Sequence, residues 1–529
     1  LFNPRPKKLL PLASLFFLSG GLMGLTPAPF HAWPLAWLAL IPLWLLIHPS
    51  RPAGPINDGY RLLLAGCWGL GYHGLALFWI TGLHPLMWMG IPWLGSIAIA
   101  AFAWVFITLW GTAIGGSWML GMSLLRPWLG NAMGRLLVGT ALWCAIESLW
   151  SRGPLWWTSL AYTQSPYNLP ILHLGQLSGP LLVTAAIVVV NGLLAEAIAA
   201  VRWPQSRLNV SRWGGTAIAL LLVAHLLGGW LYSQPLVEPA ETALRVGLIQ
   251  GNIPTREKLT RQGVLRAYQI YLNGYESLAA RGVDAVATPE GALPTVWDPS
   301  VQARSPIYQA VLENRVALWL GTFAKASNAA EAPLTQSLFA IAPDGETVGR
   351  YNKVKLVPLG EYIPLASLLG QIIGRLSPID SSLSPGSFGQ RFETSLGLAA
   401  VGICYESPYS QLFRQQVADG GRFILTASNN DPYPPRMMAQ HHAQDLMRAI
   451  ETDRWAVRVT NTGLSGIVDP HGHTRWLSEP NQYVTHIATI YRRQTRTLYV
   501  RWGDWLTPLL GGLGLVWLVW QGFKGRLQS

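Results

Sequence analysis

Three short stretches of this chain carry residue types whose combination can do nucleophilic chemistry. In "VGICYES" (401–407), Cys404 closes an apolar run and is followed by Tyr405 and Glu406. In "ATPEGALP" (287–294), Glu290 directly follows a proline. "RYNKVKLVPLGEYIP" (350–364) supplies Lys353, Lys355 and Glu361. A cysteine at the end of an apolar run reads in two ways, as a small buried hydrophobe or as a nucleophile. To attack, it must lose a proton whose free pKa is about 8.5. A neighbouring glutamate can take that proton, and later return one to a leaving group or take one from an incoming nucleophile. A lysine beside the sulfur can stabilise the thiolate and then the oxyanion of a tetrahedral intermediate, with the backbone N–H of Tyr405 as second donor.

Other arrangements fit less well. A papain-type site needs a histidine, and the nearest are His441 and His442. Adjacent residues on a helix point in different directions, which speaks against the pair as a metal site or as part of a triad. "GLSG" (463–466) is too short for a nucleophile elbow, and "DPHGH" (469–473) reads as a turn. The three cysteines, Cys67, Cys144 and Cys404, are too widely spaced for a disulfide framework or a zinc site. No metal and no cofactor are expected.

The elements that must hold these residues lie in the second half of the chain. From Leu244 the pattern is of short β-rich runs separated by helical stretches. Strands are expected at 244–250, 284–289, 316–322, 337–342, 398–404, 422–428 and 455–461. "PDGE" (343–346) turns the fourth into a hairpin with "ETVGRYN". Segments 257–281 and 436–453 read as helices. This mixture predicts an α/β layered domain of about 250 residues. Glu290 and Cys404 both fall where a strand gives way to a loop, the usual place for ligand-contacting groups in open α/β sheets.

The first half is different in kind. Of 529 residues, half are hydrophobic, only 12% are charged and 26 are tryptophan, against about a quarter charged in soluble proteins. Before Glu238 the only acidic residues are Asp58, Glu147 and Glu196; the other 23 follow. Apolar stretches near 9–27, 32–48, 62–82, 91–121, 133–150, 171–200, 214–233 and 503–522 are each about long enough to span a bilayer. Basic residues cluster before the first stretch (Arg5, Lys7, Lys8) and in alternate loops after it: Arg51 and Arg61, Arg126 and Arg135, Arg202, Arg207 and Arg212, then Lys524 and Arg526. The positive-inside rule then puts both termini in the cytoplasm and the polar domain on the far side. The same reading absorbs the net charge of +12, with no nucleic-acid partner expected. The first stretch reads as a span rather than a cleaved leader, since its basic cluster fits the loop pattern and more spans follow. Glu147, Glu196, His73 and His225 lie in or near the spans without a proton-relay spacing, so structural roles are expected.

The motifs "TPEGALP", "YNKVKLVPLGE" and "GICYE" resemble, in order and surroundings, the Glu-Lys-Cys set of the nitrilase (carbon–nitrogen hydrolase) superfamily. Joined to seven preceding spans and one following, the chain closely resembles the bacterial apolipoprotein N-acyltransferase family over nearly its whole length. The resemblance implies a nitrilase-like αββα layered domain inserted between transmembrane helices. It implies domains at 1–237 (seven spans), 238–500 (periplasmic, catalytic) and 501–529 (eighth span and cytoplasmic tail), in the bacterial inner membrane. Matched residue by residue, it makes Cys404 the nucleophile, Glu290 the general base, Lys353 the catalytic lysine and Glu361 the glutamate that orients the lysine. Tyr405 and Glu406 match positions close to the nucleophile, Lys355 a solvated or phosphate-facing lysine, "SNND" (428–431) a wall of the site and "MRAIE" (447–451) helix packing. The implied reaction moves a fatty acyl chain from a phospholipid, phosphatidylethanolamine, to the N-terminal amine of a diacylglyceryl-cysteine on an apolipoprotein, through a Cys404 thioester. The segment 362–395 is expected to be a mobile apolar loop over the site. A membrane-tethered amidase or nitrilase acting on a small C–N substrate is the alternative, and a transporter or receptor would leave the three motifs without employment.

Overall fold

The computed structural model describes residues 9–48, 57–202, 207–327, 329, 331–362, 383–431 and 433–528. They fall into two compact units, one of Leu1–Thr81, Ala98–Gln234 and Trp502–Ser529, the other of Gly82–Ile97 and Pro235–Arg501.

The first unit is helical. Among the described residues five helices are long and apolar enough to cross a membrane: Trp93–Trp128, Ala132–Trp150, Pro180–Val201, Val210–Tyr232 and Leu506–Lys524. The other apolar stretches form shorter or more polar helices. Leu9–Gly24 has 16 residues, and the stretch at 32–48 is a 3-10 turn at Trp33–Trp37 followed by the seven-residue helix Ile41–Ile47. The stretch at 62–82 becomes Asp58–Ala76, whose first turn carries the ion pair Arg61–Asp58. The stretch at 171–200 is broken. Short turns at Leu169–His173 and Gly175–Ser178 precede the long helix Pro180–Arg202, because Gly179 (φ +76°) and Pro180 together end one helix and start another. Leu9–Gly24 and Asp58–Ala76 approach backbone to backbone: a Cβ at Gly71 would lie 2.1 Å from the Phe17 carbonyl oxygen. Glu147, Glu196, His73 and His225 all have local partners. Arg135 grips Glu196 with two 2.7 Å bonds. Glu147 accepts from Ser159, Thr184 and Trp143, His73 meets Thr158 and His225 meets Asn168.

Among the described residues the second unit holds eleven strands in two sheets. Numbered along the chain they are β1 (Ala243–Gln250), β2 (Ala285–Ala287), β3 (Ala317–Lys325), β4 (Leu334–Ile341), β5 (Thr347–Asn352), β6 (Ala400–Ile403), β7 (Ile424–Ser428), β8 (Ala456–Thr460), β9 (Gly466–Val468), β10 (Thr474–Leu477) and β11 (Val484–Tyr491). One sheet runs β11-β1-β2-β3-β4-β5, the other β10-β9-β8-β7-β6. Each has three adjacent parallel strands, β1-β2-β3 and β6-β7-β8, extended by antiparallel neighbours. Alternation along the strands divides the core. Leu244, Val246 and Leu248 of β1 and Trp319 of β3 face Val401, Leu425 and Val457 of the second sheet. Ile249, Leu318 and Leu320 face the opposite way, onto Tyr271, Tyr275 and Leu278 of helix Arg261–Ala279. Helices Ser410–Ala418 and Pro435–Thr452 pack on the second sheet, completing an α-β-β-α sandwich.

β11 lies antiparallel to β1 with Ala243 opposite Tyr491, so the first and last strands of the sandwich are neighbours. Two arginines close that corner: Arg492 donates to the carbonyls of Thr242 and Glu241, and Arg493 forms a two-pronged pair with Asp453. All seven expected strands are present, and the 343–346 turn joins β4 to β5 as a hairpin. The 257–281 helix is in two pieces, Thr255–Lys258 and Arg261–Ala279, with Thr260 capping the second through Gly263 N–H. The expected mobile loop splits: 363–382 lies outside the described residues, and 383–395 is bonded to the sheet. There Leu383, Ser384 and Gly386 donate to Glu361, Leu334 and Lys353, and Gln390 bridges to Asn352.

Candidate active site

The three motifs follow strands of both sheets and come together. Glu290 follows β2, Lys353 follows β5 and Cys404 follows β6. Lys353 is fully buried, and its ammonium donates to Glu290 Oε1 at 2.8 Å and Glu361 Oε1 at 2.6 Å. Its main chain is fixed on both sides, its N–H to Gln336 and its carbonyl to Gly386 N–H. Glu361 uses its second oxygen to accept from Val357 N–H at 2.9 Å, so the "VPLGE" turn aims its own carboxylate at the lysine. Burial opposes the Lys353 charge, but Glu290, Glu361 and Cys404 outweigh it and hold the ammonium well above the ordinary lysine value. Burial pushes the Glu361 carboxyl up, against the pull of Lys353.

Cys404 is a buried thiol whose Sγ–H points at the Asn429 carbonyl, 3.6 Å away. The N–H of the same Asn429 donates to Glu290 Oε2 at 3.0 Å, so one residue touches both the sulfur and the base. Burial and the negative Glu290 push the thiol pKa far up, and Lys353 pulls it only part of the way back. Losing the thiol proton is therefore made harder by the site, and Glu290 is placed to take it as the sulfur attacks. Cys404 has φ +51°, a left-handed conformation that costs a residue with a Cβ about 1–2 kcal/mol. It opens a 3-10 turn, Cys404–Glu406, that carries Tyr405 directly after the sulfur.

Glu406 does something the sequence did not specify. Its side chain is wholly buried, with Oε1 accepting from Val354 N–H (2.6 Å) and Lys355 N–H (3.0 Å). Oε2 accepts from Ile403 N–H (2.7 Å) and Tyr351 O–H (3.0 Å). One carboxylate thus ties the backbone just after Lys353 to the backbone just before Cys404. Burial pushes it up to about 7 although three backbone N–H groups pull it down. Lys355 turns away, its ammonium 4.7 Å from the Tyr409 ring centre and 5.6 Å from that of Phe388.

Residues outside the three motifs also reach the site, Asn429 among them from the "SNND" stretch. Asn429 and Asn461 link it to Thr255 and Ile253. Tyr433 is partly buried where Cys404, Glu361, Lys353 and Glu290 act on its hydroxyl. Lys258 is buried at the end of its short helix within reach of Glu290 and Asp431; burial lowers it to about 8 against their pull. Only its place after "QGNIP", at a strand end, could have pointed to it. The histidines separate as adjacent helical residues should: His442 meets Thr474 at 2.8 Å, while His441 meets the Cys404 carbonyl. Arg448 and Glu451 of "MRAIE" pair inside the protein, and the 469–473 segment is the β9–β10 turn, closed by Asp469.

A cysteine, a glutamate and a lysine in these positions can take an acyl group on sulfur and pass it on. Comparison with known proteins gives the family. The family model for the apolipoprotein N-acyltransferase N-terminal domain matches residues 19–193, and that for carbon-nitrogen hydrolase matches 245–493. An apolipoprotein N-acyltransferase of a Nostoc species is 52% identical over 93% of this chain and 96% of its own length. One from a Synechocystis species is 46% identical over 92% and 96%. Among solved structures, the carbon-nitrogen hydrolase of Helicobacter pylori matches at 15% identity and TM-score 0.37, covering 49% of this chain and 92% of that one. The chain belongs to the apolipoprotein N-acyltransferase family, with a carbon–nitrogen hydrolase domain in its second half.

Proposed function

We propose that this protein transfers a fatty acyl chain from a phospholipid, phosphatidylethanolamine, to the N-terminal α-amine of the S-diacylglyceryl-cysteine of apolipoproteins. The observation that carries the reading is the buried Glu290–Lys353–Glu361 cluster beside Cys404, in a chain that also has, among its described residues, five membrane-length apolar helices. In the first half-reaction Cys404 Sγ attacks the ester carbonyl carbon while its proton passes to Glu290. The oxyanion is met by Lys353, two of whose three N–H bonds are committed to glutamates, and by the Tyr405 N–H. The C–O bond breaks, the proton on Glu290 goes to the departing lysophospholipid oxygen, and a thioester remains. In the second half-reaction the α-amine attacks the thioester carbon, gives a proton to Glu290, and the C–S bond breaks to release an amide. The sulfur then recovers that proton.

Dividing the reaction lets one lipid occupy the site at a time. The proposed arrangement is a membrane domain of residues 1–237 with seven spans, a catalytic domain of 238–500 on the periplasmic face, and an eighth span with its tail in 501–529. It sits in the bacterial inner membrane with both termini cytoplasmic, as the basic loops favour. The test is a mass spectrum of the purified protein after incubation with phosphatidylethanolamine alone. A gain of one acyl chain on Cys404, discharged by a diacylated lipopeptide, is expected. No gain, or acyl transfer by Cys404→Ala, would overturn it.

A further inference from the structure

The nucleophile's backbone is held from below by a chain of side chains with only one proton arrangement. The Cys404 carbonyl oxygen accepts from His441 Nε2 at 2.8 Å, from Ser407 N–H at 3.2 Å and from Ser407 Oγ at 3.3 Å. His441 Nε2 also meets Ser407 Oγ at 2.9 Å. A carbonyl can only accept, so Nε2 must carry the proton. On the other side, His441 Nδ1 lies 3.0 Å from Asn430 Nδ2. That assignment of the amide is fixed in turn, because Asn430 Oδ1 accepts from Arg458 Nη2 at 3.2 Å and a guanidinium can only donate. Arg458 is itself paired with Asp445, which also takes Thr426 O–H. Nδ1 must therefore accept, and His441 is a neutral imidazole with both nitrogens occupied. Its one acceptor lone pair, on Nδ1, is taken by Asn430, so the ring cannot be the base of a cysteine–histidine pair.

We propose that His441 is a positioning residue for Cys404: its Nε2–H, fixed by the Arg458–Asn430 relay, holds the nucleophile in its left-handed conformation and so aims Sγ. Three observations converge on this. Cys404 has φ +51°, a conformation that needs external support in a residue with a Cβ. Its carbonyl is the point at which that support is applied. His441, Asn430, Arg458 and Asp445 are all fully buried, so the relay is shielded from competing water. The role deepens the proposed function and rests on Cys404 being the nucleophile.

The test uses the full-length protein in detergent with four variants: His441→Leu, His441→Gln, Ser407→Ala and, as control, His442→Gln. Two rates are read on folded protein, alkylation of Cys404 by iodoacetamide mapped by peptide mass, and acylation of Cys404 by phosphatidylethanolamine. His441→Leu should slow both by roughly tenfold or more, the scale of loss from a misaimed reacting group. His441→Gln, whose amide can donate to the same carbonyl, should recover most of it, and His442→Gln should match the parent. Should His441→Leu not fold, Ser407→Ala, which removes a hydroxyl 2.9 Å from His441 Nε2 and 3.3 Å from that carbonyl, should still slow both rates several-fold. Parental rates in His441→Leu, or a glutamine variant no faster than leucine, would overturn the proposal. If the parent is alkylated at Cys404 with this pattern but takes no acyl chain from phospholipid, the proposed function fails and the positioning role stands.

Discussion

Replacing Glu406 by glutamine changes one atom and should unsettle both ends of the catalytic pair. The carboxylate receives three backbone N–H groups and one tyrosine hydroxyl, two donors on each oxygen. A glutamine must put its NH2 at one of those oxygens. On the Oε1 side it would face two N–H groups, Val354 and Lys355. On the Oε2 side it would face only Ile403 N–H, since Tyr351 can turn its hydroxyl to accept. The second choice wins and leaves one buried N–H without an acceptor, at a cost of about 1–3 kcal/mol. The two bonds kept by Oε1 lose the strength of a charged acceptor, about 1 kcal/mol more. Relief from burying a charge, which pushes Glu406 up to about 7, offsets part of this. The expected net loss is about 2–3 kcal/mol, or roughly 5–10 °C in unfolding temperature for a domain of this size. The orphaned N–H belongs to the residue preceding Cys404, so the sulfur should shift as well. A displacement approaching about 1 Å would cost up to about 10²-fold in acylation. Tryptophan fluorescence melts and mass-spectrometric acylation rates measure both effects. Tyr351→Phe, which removes one donor and orphans none, should cost about 1 kcal/mol or less. A Glu406→Gln protein that melts and acylates like the parent would refute the clamp.

Lys353→Ala and Glu290→Gln should each lower the acylation rate by about 10²-fold or more, since one loses the oxyanion's cation and the other the proton carrier. Lys355→Ala should cost much less, because its ammonium lies against the Tyr409 and Phe388 rings; single-turnover acylation compares all three. Lys258 is lowered to about 8 by burial, so the unfolded chain holds its proton up to higher pH than the folded one. Stability should therefore rise between about pH 8 and 10.5 by a contribution of at most about 3 kcal/mol. Lys258→Met should lack that rise in denaturant titrations, and an identical pH profile in both proteins would count against the assignment. Reporter fusions after residues 245 and 529 should fall on opposite sides of the membrane, and a common side would remove the eight-span proposal.

The parts legible in the sequence were those where one residue type carries one physical meaning. Strands β1, β3, β6, β7 and β8 are largely buried on both faces and read as apolar runs. β10 is largely exposed and β11 half-buried at a sheet edge, so Thr474–Leu477 and Val484–Tyr491 gave no such signal. Glu290, Lys353 and Cys404 stood out because charged or reactive residues follow strands there. The roles of Glu406 and His441 were hidden because both act on main-chain atoms, and sequence does not show which backbone groups a side chain will meet. Apolar length likewise marked the stretches at 9–27 and 171–200, but the helix ends depend on Pro180, Gly179 and close helix packing.

The β1–β11 pairing has a mechanical meaning. Ala243 and Tyr491 are register partners, so a pull on the chain just before β1 and just after β11 acts on two adjacent points at the same end of an antiparallel ladder. Such a load opens hydrogen bonds one after another, as in a zip, instead of shearing all of them together. β11 is an edge strand and would peel first, while β1 remains held by β2. The Arg492 and Arg493 contacts sit where that opening must start and act as its catch. Cys404 follows β6 of the other sheet, so the ladder that opens first and the nucleophile belong to different sheets.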